Sequence, residues 1–117
     1  MSQLRADDYL AHMKQAAEDA CDFTSSLSKA EFLADRRTQQ AVNMCLIIIG
    51  EAAIRLTAEY PAFVAQHTAL PWRGMRGMRN RITHGYFAVN LDIVWDTVQT
   101  ALPELLAAMT SKQTGKD

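Results

Sequence analysis

The stretch AVNMCLIIIGEAAI, Ala41 to Ile54, constrains this chain more than any other. Laid on a helix it is apolar on nearly every face, and such a helix must be surrounded, by its own domain or by a partner. Asp35 is a good N-cap and Pro61 a stop, which predicts a helix from there to about Tyr60. Gly50 in mid-helix costs about 1 kcal/mol relative to Ala, so it predicts close approach of another backbone. The run AVNMCLIIIG is too short to span a bilayer and includes Asn43. The start, MSQLRADDYL, is acidic and polar and does not read as a signal peptide. The expectation is a soluble, cytoplasmic protein with no membrane partner.

The rest of the chain supplies what could surround that helix. Tyr9, Met13, Ala16, Ala20, Phe23 and Leu27 recur at steps of three and four, predicting a first helix from near Gln3 to Leu27 with one apolar stripe. Ser28 and Glu31 in SKAE form a capping box, followed by a short helix carrying Phe32 and Leu33. Residues 61–71 read as a connector with one helical turn at AFVAQ. A further helix runs from Trp72 to about His84, with Gly85 as its C-cap. Asn90 caps a last helix whose buried stripe is Leu91, Val94, Trp95, Val98, Leu102, Leu105 and Met109, and Pro103 should kink or split it. With 117 residues, 49% of them hydrophobic, and no strand pair or repeat, the chain reads as one domain over 1–110 and a flexible polar tail, 111–117. The fold class is all-α: an antiparallel bundle of about five helices, which the apolar third helix makes a plausible homodimer. Cys21 and Cys45 fall inside apolar periodic runs and read as small buried hydrophobes, without metal spacing.

Net charge, formally −1, predicts no partner, but its distribution does. No Asp or Glu occurs between Tyr60 and Leu91, and four of the eight arginines lie within nine residues, Arg73 to Arg81. At ~100° per residue, Arg73, Arg76, Asn80 and His84 share one helix face and Met75, Met78 and Ile82 the opposite one, with Arg79 and Arg81 on the two flanks. Four cations that close repel by a few tenths of a kcal/mol per pair, so a carboxylate such as Glu51 or an anionic ligand should offset them. Glu51 itself, in the most apolar helix, should be paired. His12 and His67 stand outside this pattern: the first reads as packed or half-exposed, the second as lying in the connector.

The segment MRNRITHGYF, Met78 to Phe87, carries the chemistry. Guanidinium groups hold phosphate and stabilise extra charge on it, histidine exchanges protons near neutrality, and tyrosine can donate, stack or accept a group. Together they suit metal-free cleavage of RNA by its own 2′-hydroxyl, and the absence of clustered acidic or histidine ligands in sequence argues against a two-metal nuclease. A single histidine per chain is thin equipment for both proton transfers; a dimer would supply two. The same residues have plainer readings. A histidine before a glycine suits a helix C-terminus, an arginine face can be ion-paired surface, and Tyr86 with Phe87 can be a hydrophobic lock on the helix end.

The string RNRITHGYF resembles the signature of the HepT-like ribonucleases, a branch of the HEPN superfamily: Arg79, four residues, His84, one residue, Tyr86. IIIGEAA, YPAFVAQHTALPWRGMRGMRN and VNLDIVWDTVQTALPEL look like the same family, so the resemblance covers about Asp35 to Leu106. It implies a helical homodimer with two motifs facing a shared cleft, and a metal-independent endoribonuclease that needs no cofactor, the toxin of a type VII-like toxin–antitoxin pair. Arg79 would contact the scissile phosphate and His84 transfer protons, with Asn80, Arg76 and Arg73 supporting RNA binding. The implied partner is a minimal nucleotidyltransferase antitoxin (MntA-type), which transfers AMP to the motif tyrosine, here Tyr86. The alternative is a non-catalytic helical module that binds a nucleotide or a nucleotidyltransferase.

Overall fold

The computed structural model describes residues 4–114, with side chains as far as Thr110. Its elements are α1 (Ala6–Thr24), α2 (Lys29–Leu33), α3 (Arg36–Glu59), α4 (Pro61–Gln66), α5 (Trp72–His84), a 3-10 turn (Tyr86–Ala88), α6 (Leu91–Asp96), a π turn (Thr97–Ala101) and α7 (Leu102–Thr114). The described residues are all helix and connection, without strands. The expected helix start at Gln3 lies outside them, and the expected tail, 111–117, is described only to Thr114, where α7 ends.

Local chemistry sets most boundaries. Ser28 Oγ accepts the Glu31 amide at 3.1 Å and Glu31 Oε1 accepts the Ser28 amide at 2.8 Å, closing the capping box that starts α2. Asp35 starts α3 by accepting the Thr38 amide at 3.1 Å and the Thr38 hydroxyl at 2.7 Å, which hold its carboxyl below the usual range. Asn90 Oδ1 accepts the Ile93 amide at 3.2 Å at the start of α6. Pro61 ends α3 and is the first residue of α4, a position that needs no N–H. The connector after α4 is fixed by the Trp72 indole, which donates to the His67 carbonyl at 2.9 Å, and by His67, stacked on Phe63 with centroids 4.0 Å apart.

Helix α1 runs antiparallel to α3, since Tyr9 near its start donates to Glu59 at 3.2 Å and the Tyr60 hydroxyl reaches the Leu4 carbonyl at 2.7 Å. It also runs antiparallel to α7: Cys21 lies on the Val98 carbonyl, while Leu10 and Met109 line one cavity. The core is filled by Met13, Ala16, Ala17 and Ala20 of α1, Val42, Leu46, Ile49, Ala53 and Leu56 of α3, Phe32, Ile82, Val94, Val98 and Leu102. Small alanines on α1 let its backbone lie close to α3. The predicted stripes hold except at Phe23, which is exposed while its neighbour Thr24 is buried, and α1 stops at Thr24 rather than at Leu27. Burial pushes the Cys45 thiol up to about 11, the property of an inert core group.

Two expectations about the long helices change. The apolar run is short, but α3, 24 residues long, contains an 18-residue window of mean hydropathy 1.6 and is long and apolar enough to cross a membrane by length and composition. Half of that window is buried against the rest of the fold, as in a core helix. Nor is α3 covered all round: Met44 is 54% exposed and Ile48 38%. The last helix is divided just ahead of Pro103, as expected, a π turn separating α6 from α7. The Leu102 amide bonds to the Thr97 carbonyl, one residue wider than an α turn, and the π turn ahead of Pro103 takes up the ring and the missing N–H.

Phe32 is fully buried and meets Trp95 at 5.4 Å, so it is the plug that joins the α2 corner to α6. Phe32→Ala should cost about 3–5 kcal/mol in urea unfolding. Ser28→Ala, which only opens the cap, should cost about 1 kcal/mol.

Candidate active site on helix α5

Helix α5 is laid against α3 at Gly50. A methyl group there would collide with Arg79 Cβ and stand 2.7 Å from the Met75 carbonyl oxygen. The expected close approach is therefore real, and what approaches is the stem of Arg79. This corrects the placement of Arg79 on a flank: it lies about 40° from Met75 around the helix, on the side facing α3. Its guanidinium emerges partly exposed, Nη2 lying 3.3 Å from Glu51 Oε1 and Nη1 donating to Asn80 Oδ1 at 3.0 Å. Nε is buried and unpaired. Glu51 also meets Arg55 at 3.5 Å, so one carboxylate serves two cations.

The Arg79–Glu51 pair is half-exposed and contributes no more than about 1 kcal/mol to stability. Its consequence is positional. Long arginine side chains are costly to immobilise, and here the stem is clamped by packing and the head by two neighbours. Arg73, Arg76 and Arg81 have no carboxylate partner among the described residues. Among the described residues, Glu51 is thus the carboxylate that pairs with an arginine of the acid-free span from Tyr60 to Leu91.

His84 is the last residue of α5 and is exposed. The Gly85 amide caps the helix by donating to the Arg81 carbonyl at 3.0 Å. Gly85 has φ −131°, outside the left-handed region expected of a glycine cap. A Cβ there would instead press the Arg81 carbonyl oxygen at 3.2 Å. His84 lines a cavity of about 430 Å³ together with Met78, Arg81, Asn90 and Ile93. Arg79 and His84 are five positions apart, which is about 140° around a helix. Within one chain Arg79, Asn80 and Glu51 are brought together, while His84 opens onto the other side of α5.

Tyr86 and Phe87 do not lock the helix end. Tyr86 is 44% exposed and Phe87 fully so, their rings meeting edge to face at 6.1 Å. Arg73 and Asn80 are exposed and Arg76 half-buried, without recorded contact to His84. His12, outside the motif, lines a groove with Glu51 and Arg55. Sequence reasoning missed how Arg79 is seated and the cavity beside His84; the signal for the first was the match of a mid-helix glycine with an arginine on the core side of α5. Among the described residues no three His, Cys, Asp or Glu side chains lie together as a metal cluster would require.

The fold is a helical bundle in which an arginine is packed against the neighbouring helix and a histidine ends the same helix, and comparison with known proteins identifies the family. Residues 13–111 match the family described as ribonuclease HepT-like, so the chain belongs to the HepT-like ribonuclease family. A relative named "Probable ribonuclease HepT" from Thermococcus cleftensis is 37% identical over 98 residues, 84% of this chain and 86% of its own. A protein of Methanocaldococcus jannaschii, named as a candidate RNase, is 38% identical over 96 residues, covering 82% of this chain and 74% of its own. Another so named, from Caldanaerobacter subterraneus, is 36% identical over 97 residues, covering 83% and 84%. No solved structure gives a significant match.

Gly50→Ala should destabilise the fold by about 1–3 kcal/mol in chemical unfolding, since overpacking outweighs the gain in helix propensity. Gly77→Ala, on the same α5 but with no atom within 4 Å of the added methyl, should instead stabilise by up to about 1 kcal/mol.

Proposed function

We propose that this protein is a metal-independent endoribonuclease, the toxin of a type VII-like toxin–antitoxin pair, acting as a homodimer. The observation that carries the reading is the seating of Arg79, whose stem is fixed over Gly50 and whose head is held by Glu51 and Asn80. A guanidinium held in advance stabilises charge that develops on a phosphate without reorganising first. In the proposed reaction the ribose 2′-oxygen bonds to phosphorus and the bond to the 5′-oxygen breaks. A proton leaves the 2′-hydroxyl and another reaches the departing 5′-oxygen. Arg79 contacts the phosphate and His84 carries protons, while Asn80, Arg76 and Arg73 hold the RNA backbone by unpaired donors and charge.

Dimerisation supplies what one chain does not. Arg79 and His84 lie about 140° apart on α5, so a second copy is needed to complete a cleft containing both groups and a second histidine. Exposed apolar side chains mark interfaces, and Met44 and Ile48 on α3 and Phe87 beside the motif are available for one. The proposed antitoxin is a minimal nucleotidyltransferase that transfers AMP to the Tyr86 hydroxyl. Tyr86 is exposed two residues from His84, so a bulky anion there would block the histidine and draw on the unpaired arginines.

Purified protein should cut RNA in the presence of EDTA. Arg79→Ala and His84→Ala should each lower the rate at least about a hundredfold while circular dichroism stays that of the wild type. Undiminished cutting by both variants would sink the mechanism. Coexpression with its nucleotidyltransferase should add AMP units to the intact mass, and Tyr86→Phe should remove them.

A further inference from the structure

We infer that the cavity between α5 and the α6–α7 stretch is a nucleotide subsite. It would take the base of a nucleotide whose phosphate rests on Arg81 and His84. This deepens the ribonuclease reading and rests on it for the identity of the ligand as part of an RNA.

Behind the cavity beside His84 lies a second, of about 310 Å³. The two share Met78, Arg81 and Ile93, so they are chambers of one groove. The inner chamber is walled by core side chains of three elements, among them Ile49, Met75 and Leu105. Its volume lies at the lower end of the ~300–1,000 Å³ of small-molecule sites, which suits one ring system. The outer chamber ends at His84. Between them stands Arg81, exposed and with no carboxylate partner among the described residues. An apolar slot, then a free guanidinium, then an imidazole is the order in which a base and its phosphate present themselves.

Two further observations point the same way. Gly74 forms part of the inner wall, and a Cβ there would meet only Pro71 Cβ, at 3.9 Å, so packing within the chain does not demand a glycine. The π turn contributes Thr97 and Ala101 to the same wall, and such turns recur at functional sites. The Thr97 hydroxyl is already spent on the Ile93 carbonyl at 2.7 Å. The chamber therefore reads a base by shape and stacking rather than by a hydrogen-bond pattern. Discrimination should separate large bases from small ones and be modest, because apolar pockets reject poorly.

Gly74→Leu tests this, because a side chain there grows toward the chamber while replacing a helical glycine. Its Tm should be no lower than that of the wild type. On RNA the wild type should cut with a bias for base size on one side of the scissile bond. Gly74→Leu should raise KM at least tenfold and lose that bias, and Arg81→Ala should raise KM and flatten its dependence on salt. AMP and UMP added separately should shift the methyl resonances of Met78 and Ile93 in the wild type and not in Gly74→Leu. A folded Gly74→Leu protein with unchanged KM and bias, or no methyl shift with either monophosphate, overturns the subsite. If the wild type cuts no RNA and yet AMP or UMP shifts those methyls, the ribonuclease reading fails and the nucleotide cavity stands. Shifts produced by an acidic peptide and by neither monophosphate would make the groove a protein-docking site and overturn the inference.

Discussion

The approach of α5 to α3 at Gly50 is the constraint on which the rest of the molecule depends. Without a side chain at Gly50, the Met75 carbonyl and the stem of Arg79 reach the surface of α3 itself. That contact sets the depth at which α5 sits, which buries Met75 and Ile82. It also brings the Arg79 head level with Glu51, the next residue on α3. Glycine in mid-helix is unfavourable by about 1 kcal/mol, and here the cost is offset by packing that no larger residue would allow. One position thus links core packing to the seat of the chemistry.

The electrostatics follow from the same geometry. Among the described residues Glu51 is the one acidic side chain paired with the basic helix, and it is shared with Arg55. Neutralisation of α5 is therefore partial, and Arg73, Arg76 and Arg81 keep their charge unpaired among the described residues. Like charges so placed destabilise the free protein slightly and favour any anion that binds. The stability given up is small, because the cations are exposed and screened.

The fold was largely legible in the sequence because its signals are local. The capping box at Ser28, the caps at Asp35 and Asn90 and the span Trp72–His84 depend on residues within a few positions of one another. Phe23 was misplaced because the last inward position of α1 is taken by its polar neighbour Thr24, which hydropathy does not flag. Tyr86 and Phe87 look like core residues by composition, yet among the described residues Tyr86 stays 44% exposed and Phe87 fully so. The site was legible only in its list of residues. That Arg79 packs on α3 is a tertiary fact set by a glycine twenty-nine residues away, whereas the angle between Arg79 and His84 follows from their five-position spacing on one helix. The groove behind Arg81 could not be read at all, since its walls come from α3, α5, the π turn and α7, and no single segment marks it.

The glycines of these two helices divide by what explains them. Gly50 is required by its own chain. Gly74 and Gly77 are not: a Cβ on Gly74 would touch one atom at 3.9 Å, and on Gly77 none within 4 Å. Together they forgo about 2 kcal/mol of helix stability, a sizeable part of the roughly 5–15 kcal/mol that holds a small domain. For Gly74 the proposed ligand in the groove accounts for the opening. Gly77 lies on the outward face with Arg73, Asn80 and His84, within about 60° of each around the helix. Bare backbone flanked by cationic and amide donors is a surface that a phosphodiester chain can approach closely, and a methyl there would hold it off. On the proposed function, the two glycines give up helix stability in favour of what lies against α5.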